Sequence, residues 1–253
     1  MLGLMGSAVG LVLESIILFR GFQGRILARF PLFYAYLFCV LLVDAVSRGV
    51  YILAPGLYRN WYWGSQFLTL LVGYGVILEI VDKALARYPG ASKFARAAVV
   101  WLFAAVFSYV LIQSLRSPGW SPAASYGELE RDLRGVQVLV LTSILLIISF
   151  YRVSLSRNLK GIIGGYGVFL ASSVMSLEGR TYVGPAFEAS WKVILISAYL
   201  VSLMIWTFAL WFPSPAAGQS SQSHLDGDYE SFAMKTKDLL GLMRAYLGRT
   251  VRP

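Results

Sequence analysis

The chain has 253 residues, of which 57% are hydrophobic, 15% aromatic and only 14% charged, and its mean hydropathy is +0.65. Average soluble domains carry about 25% charged residues, so an ordinary water-soluble domain is excluded, and the length leaves no room for a large soluble module beside a membrane-embedded one. The formal net charge of +9 would suit a nucleic-acid binder; here the basic residues fall between long apolar runs, which the positive-inside rule explains without nucleic acid.

Seven apolar stretches approach the roughly 17–25 residues needed to cross the hydrocarbon core, at about 2–19, 31–54, 62–82, 97–115, 134–151, 161–178 and 192–212. The first could be mistaken for a signal peptide. It lacks a basic leader, and Arg20, Arg25 and Arg29 follow its apolar run, the pattern of a retained helix inserted with its N-terminus outside. It contains Glu14. The second stretch contains Cys39, the single cysteine, which has no intrachain disulfide partner and packs as a small hydrophobe. It also contains Asp44 and Arg48, four residues apart and therefore on one helix face, with Ser47 and Tyr51 beside them. At ~1.5 Å per residue from the inner end, this group falls in the outer half of the membrane. Two readings stand: an ion pair joining helices, or a polar pocket for a ligand or ion.

The third stretch ends near Glu79, one turn before Lys83, an arrangement that predicts an interfacial pair. Glu14 and Glu79 lie at similar depth by residue count, and two intramembrane carboxylates at one depth could in principle relay protons. Val72-Gly73-Tyr74-Gly75 matches the core of a potassium-channel filter, but Leu71 replaces the expected threonine and the run proceeds uninterrupted to cytoplasmic charge. Close helix approach explains these glycines better, as it does Gly161, Gly164, Gly165 and Gly167. Before the fifth stretch, Ser125 and Glu128 have capping-box spacing, which predicts that the fifth helix begins outside the membrane. The fourth to seventh stretches are nearly free of charge, so activity is expected in the first three helices and scaffolding in the rest. Short repeats such as Gly73-Tyr74-Gly75-Val76 with Gly165-Tyr166-Gly167-Val168 are brief enough to be coincidence.

The connections alternate in charge. Arg20, Arg25 and Arg29, then Lys83, Arg87, Lys93 and Arg96, then Arg152, Arg157 and Lys160, then Lys235, Lys237, Arg244, Arg249 and Arg252 place fifteen basic residues on one side. The other side has six: Arg59, Arg116, Arg131, Arg134, Arg180 and Lys192. The bias predicts a multi-pass membrane protein, N-terminus outside and C-terminus in the cytoplasm. Tyr58, Trp61, Tyr62, Trp63, Trp120 and Trp191 flank the spans as an interfacial belt.

After Phe212, Pro213-Ser214-Pro215 stops the last helix, and a Gly/Ser/Gln-rich linker runs to about 227. From 228 to 253, Phe232, Leu239, Leu240, Met243, Tyr246 and Leu247 recur at helical spacing among basic residues. This predicts a basic amphipathic helix lying on anionic lipid head groups, or packed on the bundle or on a cytoplasmic protein partner. The expected fold is thus all-α: a seven-transmembrane-helix bundle over 1–212, a linker over 213–227 and a C-terminal amphipathic helix.

Enzyme is the least favoured class. The only histidine, His224, lies in the polar tail, so no metal cluster can be assembled, and no cofactor signature is present. Residues 193–212 contain no lysine, unlike the retinal-binding helix of microbial rhodopsins. No His-Glu-x-x-His motif occurs.

Through Tyr62-Trp63-Gly64, Glu79 and Tyr88-Pro89-Gly90, the chain resembles uncharacterised bacterial seven-helix integral membrane proteins over residues 61–90. The resemblance implies a fold and a location in a bacterial cytoplasmic membrane, and it transfers no activity or site. In topology the chain is also similar to the seven-helix sensor modules of bacterial signalling proteins, without their output domain; topology alone is a weak warrant for function. The sequence therefore favours a receptor- or sensor-like bundle that binds a small or lipidic ligand near Asp44 and Arg48 and relays to a cytoplasmic partner. A small transporter or channel and a structural subunit of a membrane complex are the alternatives.

Overall fold

The structure is a computed structural model that describes residues 2–24, 26–86, 88–116, 122–150, 153–183, 188–212 and 234–235. The linker and nearly all of the expected C-terminal amphipathic helix lie outside the described residues. Every regular element among the described residues is helical: α1 (Leu2–Gln23), α2 (Ile26–Arg29), α3 (Pro31–Leu53), α4 (Pro55–Ala84), α5 (Pro89–Arg116), α6 (Pro122–Phe150), α7 (Arg157–Val183) and α8 (Glu188–Leu210). Six of these, α3 to α8, contain segments long and apolar enough to cross a membrane.

Most long helices extend past the apolar stretches that announce them. α4 starts at Pro55 rather than 62, α5 at Pro89 rather than 97, and α6 at Pro122 rather than 134. Hydropathy marks only the part of a helix in hydrocarbon, whereas the backbone stays helical into the polar zone. Four helices open on proline, at Pro31, Pro55, Pro89 and Pro122. A proline in the first helical position lacks only an N–H that would be orphaned anyway, and its fixed φ suits the helix. This is why α6 begins ahead of the Ser125 cap. The short helix α2, unanticipated in the 20–30 connection, buries Ile26. Between α3 and α4 only Ala54 intervenes, its N–H donating to the Val50 carbonyl at 2.9 Å.

The long helices form a closed ring of neighbours: α1 against α8, then α7, α6, α5, α4 and α3, which returns to α1; α4 also reaches α6 and α7. α1 and α8 run parallel, since Glu14 meets Tyr199 and Arg20 meets Trp211. α7 and α8 run antiparallel, Asn158 meeting Ala209 and Gly165 meeting Trp206. The ends of α1, α4 and α8 and the starts of α3 and α7 therefore share one end of the bundle, which carries Arg20, Arg29 and Lys83 and is called the basic end below.

The core is formed by Phe33, Leu37, Val76, Ile77, Leu133, Leu203 and Trp206, all fully buried. Outward faces are as apolar as the inside: Trp101 is 75% exposed, Leu146 65% and Phe150 80%. Water would not tolerate so continuous an apolar exterior, but hydrocarbon does. The composition and the exterior are those of a multi-pass membrane protein.

Helix packing exploits the glycines. A Cβ at Gly161 would strike the side chain of Ala209, and one at Gly165 would strike the Trp206 indole. These two glycines, four apart on α7, are what let α8 lie close, as small-xxx-small pairs do in membranes. Trp206 fills the Gly165 notch, donates from Nε1 to the Ile162 carbonyl at 3.2 Å and stands edge-on to Phe33 at 5.1 Å. Gly73 is similarly committed: its carbonyl accepts from the Tyr166 hydroxyl at 2.9 Å, and a Cβ there would lie 2.6 Å from that oxygen. Gly164 meets nothing, and Gly167 would make only an ordinary contact with Leu141.

Candidate functional site

Two of the residues predicted to matter, Glu79 and Ser47, serve the helices around them. Glu79 accepts from the backbone N–H of Leu32 at 3.2 Å and of Phe33 at 2.8 Å. These are orphan donors in the first turn of α3, where the N-cap residue Phe30 offers no side-chain acceptor, so a carboxylate borrowed from α4 caps α3 and complements its dipole. Lys83 also acts electrostatically on Glu79. Replacing Glu79 with alanine is expected to cost about 0.5–2 kcal/mol, the usual value of an N-cap, with Glu79→Gln losing less; thermal unfolding in detergent reads both. Ser47, half-buried, accepts from the Trp61 indole N–H at 2.9 Å, which ties α3 to α4.

Tyr51 is exposed and stands edge-on to Tyr58 at 5.3 Å; Tyr58 lies against Tyr62, and Tyr62 against Trp63. The expected aromatic belt at this end of the bundle is thus a contiguous ladder. Asp44 is half-buried and Arg48 exposed, and the charge of Arg48 acts on Asp44. Both also act on Glu14, so the structure brings Glu14, Asp44 and Arg48 into one electrostatic neighbourhood and leaves Glu79 apart from it.

Glu14 is fully buried. Its Oε1 accepts from the Tyr199 hydroxyl of α8, and its Oε2 is buried with no hydrogen-bond partner. Tyr199 lies against Phe169 at 5.9 Å, and Phe169 also lies against Tyr36 and Tyr166. Over the same Phe169 ring, 5.5 Å from its centroid, sits the guanidinium of Arg134. Arg134 is only 8% exposed and its Nε donates to Glu130 Oε1 at 2.9 Å. Tyr36 joins the two halves, being fully buried and within electrostatic reach of Arg134, Glu14 and Asp44.

Neither Glu130 nor Arg134 was singled out in the sequence as a site residue. The sequence counts Arg134 among the basic residues of the outer connections, and α6 reads as scaffold. The structure places both on α6, part-buried and four residues apart. Acid-to-base spacing on a helix was the available signal; it was obscured because hydropathy begins only after the pair. Tyr36, Phe169 and Tyr199 gave no signal, because aromatic residues in apolar runs look alike until partners from other helices are known.

The pair lines a cavity of about 230 Å³ with Tyr62, Gln66, Phe169, Ser173, Ser176 and Leu195, on the half of the bundle away from the basic end. The cavity lies between α4, α6, α7 and α8. Asp44, Ser47, Arg48 and Tyr51 do not line it, but the Tyr51–Tyr58–Tyr62 ladder reaches its rim. Below it, α4, α6 and α7 are stitched by side chains that donate to backbone carbonyls: Tyr74 to Leu133 at 2.8 Å, Gln137 to Leu70 at 3.5 Å and Tyr166 to Gly73 at 2.9 Å. The pocket therefore rests on a fixed polar floor, while its walls supply a carboxylate, a guanidinium, hydroxyls, an amide and aromatic faces. Such a set can orient a small molecule. Among the described residues no group of His, Cys, Asp and Glu could hold a metal ion.

The chain matches no protein-family model, no curated protein and no solved structure, so its functional reading rests on this geometry.

Proposed function

We propose that the chain is a seven-span membrane bundle, N-terminus outside, that binds a small polar ligand or the polar head of a lipidic one in the α4–α6–α7–α8 cavity. In this reading α1 is the seventh span, its charge order and its contacts with α3 and α8 supporting that role. The bundle acts as a receptor or sensor, passing occupancy to the basic end and to a cytoplasmic partner. The observation that carries the reading is the cavity walled by the Glu130–Arg134 pair. Intramembrane charge is costly to keep, and here it faces a space of ligand size with convergent polar groups. A ligand offering a donor to Glu130 and an acceptor to Arg134 fits, so zwitterions are the first candidates. Phe169 links the cavity to Tyr36, Tyr199 and Glu14, and a ligand that favours one arrangement of this aromatic cluster would shift the population of helix positions.

The test is thermal stabilisation of the protein in nanodiscs by the common amino acids and by short-chain zwitterionic lipids, followed by pull-down of cytoplasmic proteins with and without the stabilising probe. Ser176→Leu, which puts a larger side chain into the cavity, is expected to fold and to weaken that probe by about tenfold or more, ~1.4 kcal/mol. Stabilisation that survives Ser176→Leu unchanged places the ligand elsewhere, and a chain that captures no partner in either state sinks the sensor reading.

One observation favours a second reading, a small ion-coupled transporter: Glu14 Oε2 is buried without a hydrogen-bond partner, and the charges of Asp44 and Arg48 act on this carboxyl, as charged groups do on ion pathways. It predicts probe flux into proteoliposomes that is lost in Glu14→Gln. A sealed liposome with no flux of the bound probe rejects it.

A further inference from the structure

At the basic end a separate cavity of about 240 Å³ lies between the α2–α3 junction, the last turn of α4 and the stretch leading into α7. It is lined by Arg29, Lys83, Ser154 and Ser156 on its polar side and by Phe30 and Leu159 among its apolar residues. Three chain segments far apart in sequence supply these groups. Arg29 is half-buried, its guanidinium held 5.7 Å from the Phe30 ring, which limits its freedom and directs it. Lys83 is exposed at the rim. Residues 153–156 are non-helical, Val153 N–H donating to the Ile148 carbonyl at 3.0 Å, and Ser156 Oγ accepts from the Leu159 N–H at 3.4 Å. Ser156 thus caps the first turn of α7 beside the pocket. Glu79, on which Lys83 acts, caps the α3 N-terminus, and Asp82 accepts from Ser92 Oγ at 3.3 Å.

We propose that this cavity binds a phosphate-bearing anion, with Arg29 and Lys83 clamping its oxygens, the serine hydroxyls completing the shell, and Phe30 and Leu159 walling the apolar side. Two cations converging with hydroxyl donors, without a competing carboxylate in the lining, form an anion site. Its place where apolar helices give way to basic connections matches the phosphate level of a bilayer, where basic interhelical pockets take lipid head groups. The site is distinct from the Glu130–Arg134 cavity and stands if that reading fails; it rests only on the chain's being embedded in a bilayer.

The experiment measures the unfolding midpoint in nanodiscs of phosphatidylcholine alone, in nanodiscs doped with phosphatidylglycerol, and in phosphatidylcholine nanodiscs with added glycerol phosphate. The wild-type midpoint is expected to rise with phosphatidylglycerol. At ~1 kcal/mol per basic residue near the membrane surface, the double variant Arg29→Gln/Lys83→Gln should require about thirtyfold more anionic lipid for the same rise. Lys83→Gln alone, exposed and expected to fold normally, should show a smaller loss, and Arg29→Lys/Lys83→Arg should retain the effect. Lys235→Gln/Lys237→Gln in the tail should leave it intact. A rise with lipid and none with glycerol phosphate assigns the head group of a lipid, and a rise with both assigns phosphate from either source. The proposal is overturned by no rise in any arm, or by a rise that the double variant preserves while its phosphatidylcholine midpoint equals wild type.

Discussion

Arg134→Met is expected to be among the most damaging single substitutions in the chain, costing about 3–5 kcal/mol, because it strands the part-buried Glu130 carboxylate without its guanidinium. Glu130→Gln should be milder, since the amide keeps an oxygen that can accept from Arg134. The double variant Glu130→Gln/Arg134→Met is expected to recover much of the loss: a buried pair is worth little more than well-packed neutral groups of its volume, whereas half a pair is expensive. Unfolding of all four proteins in mild detergent closes the cycle. Strictly additive losses would show that the two residues do not depend on each other. The cation-over-ring placement of Arg134 on Phe169 adds a second signature, as Phe169→Leu should lower the midpoint in wild type more than in Arg134→Met.

The second large effect is at the α7–α8 seam. Gly165→Leu removes the notch that Trp206 occupies, so the fully buried indole between α7 and Phe33 has to be displaced. Overpacking of this kind costs about 1–3 kcal/mol, occasionally more. Trp206→Ala alone leaves a cavity and should cost about 3–5 kcal/mol. Combined, the leucine enters the space that the tryptophan vacates, so the double variant is expected to be more stable than the sum of the singles by at least about 1 kcal/mol. Gly164→Ala, at a position where a Cβ meets nothing, serves as the silent control. Equal damage from Gly164→Ala and Gly165→Ala would dismiss the seam as the reason for these glycines.

The helices were legible because hydrophobic runs report burial in lipid or core directly. Their true ends were not, since Pro55, Pro89 and Pro122 begin helices in polar surroundings that hydropathy ignores. Small residues at Gly73, Gly161 and Gly165 were recognisable as places of close approach, although which partner approaches depends on the ring order. The site was only partly readable. Asp44, Arg48 and Glu14 stand out in sequence because charge in an apolar run is anomalous, and the structure groups them. Glu79 stands out for the same reason, yet its partners are backbone N–H groups of Leu32 and Phe33, which no side-chain pattern reveals. Glu130 and Arg134 did not stand out, because a charged pair at the edge of an apolar run is the expected composition of a loop. What distinguishes them is that α4, α7 and α8 surround them, a property of the assembly alone.

The hydrogen bond between Tyr199 and Glu14 spans 185 positions of the chain and joins α1 to α8, the first and last long helices among the described residues. A ribosome therefore delivers the carboxylate long before its partner. Until α8 enters the bilayer, the flank of α1 that carries Glu14 lacks its closing neighbour, and an unshielded acid there is a recognisable mark of incompleteness. A nascent chain halted before residue 199 should be held by insertion factors or degraded, whereas the same chain with Glu14→Leu should escape that surveillance. In this sense the ring has a built-in order of assembly, and its last helix is the one that releases it.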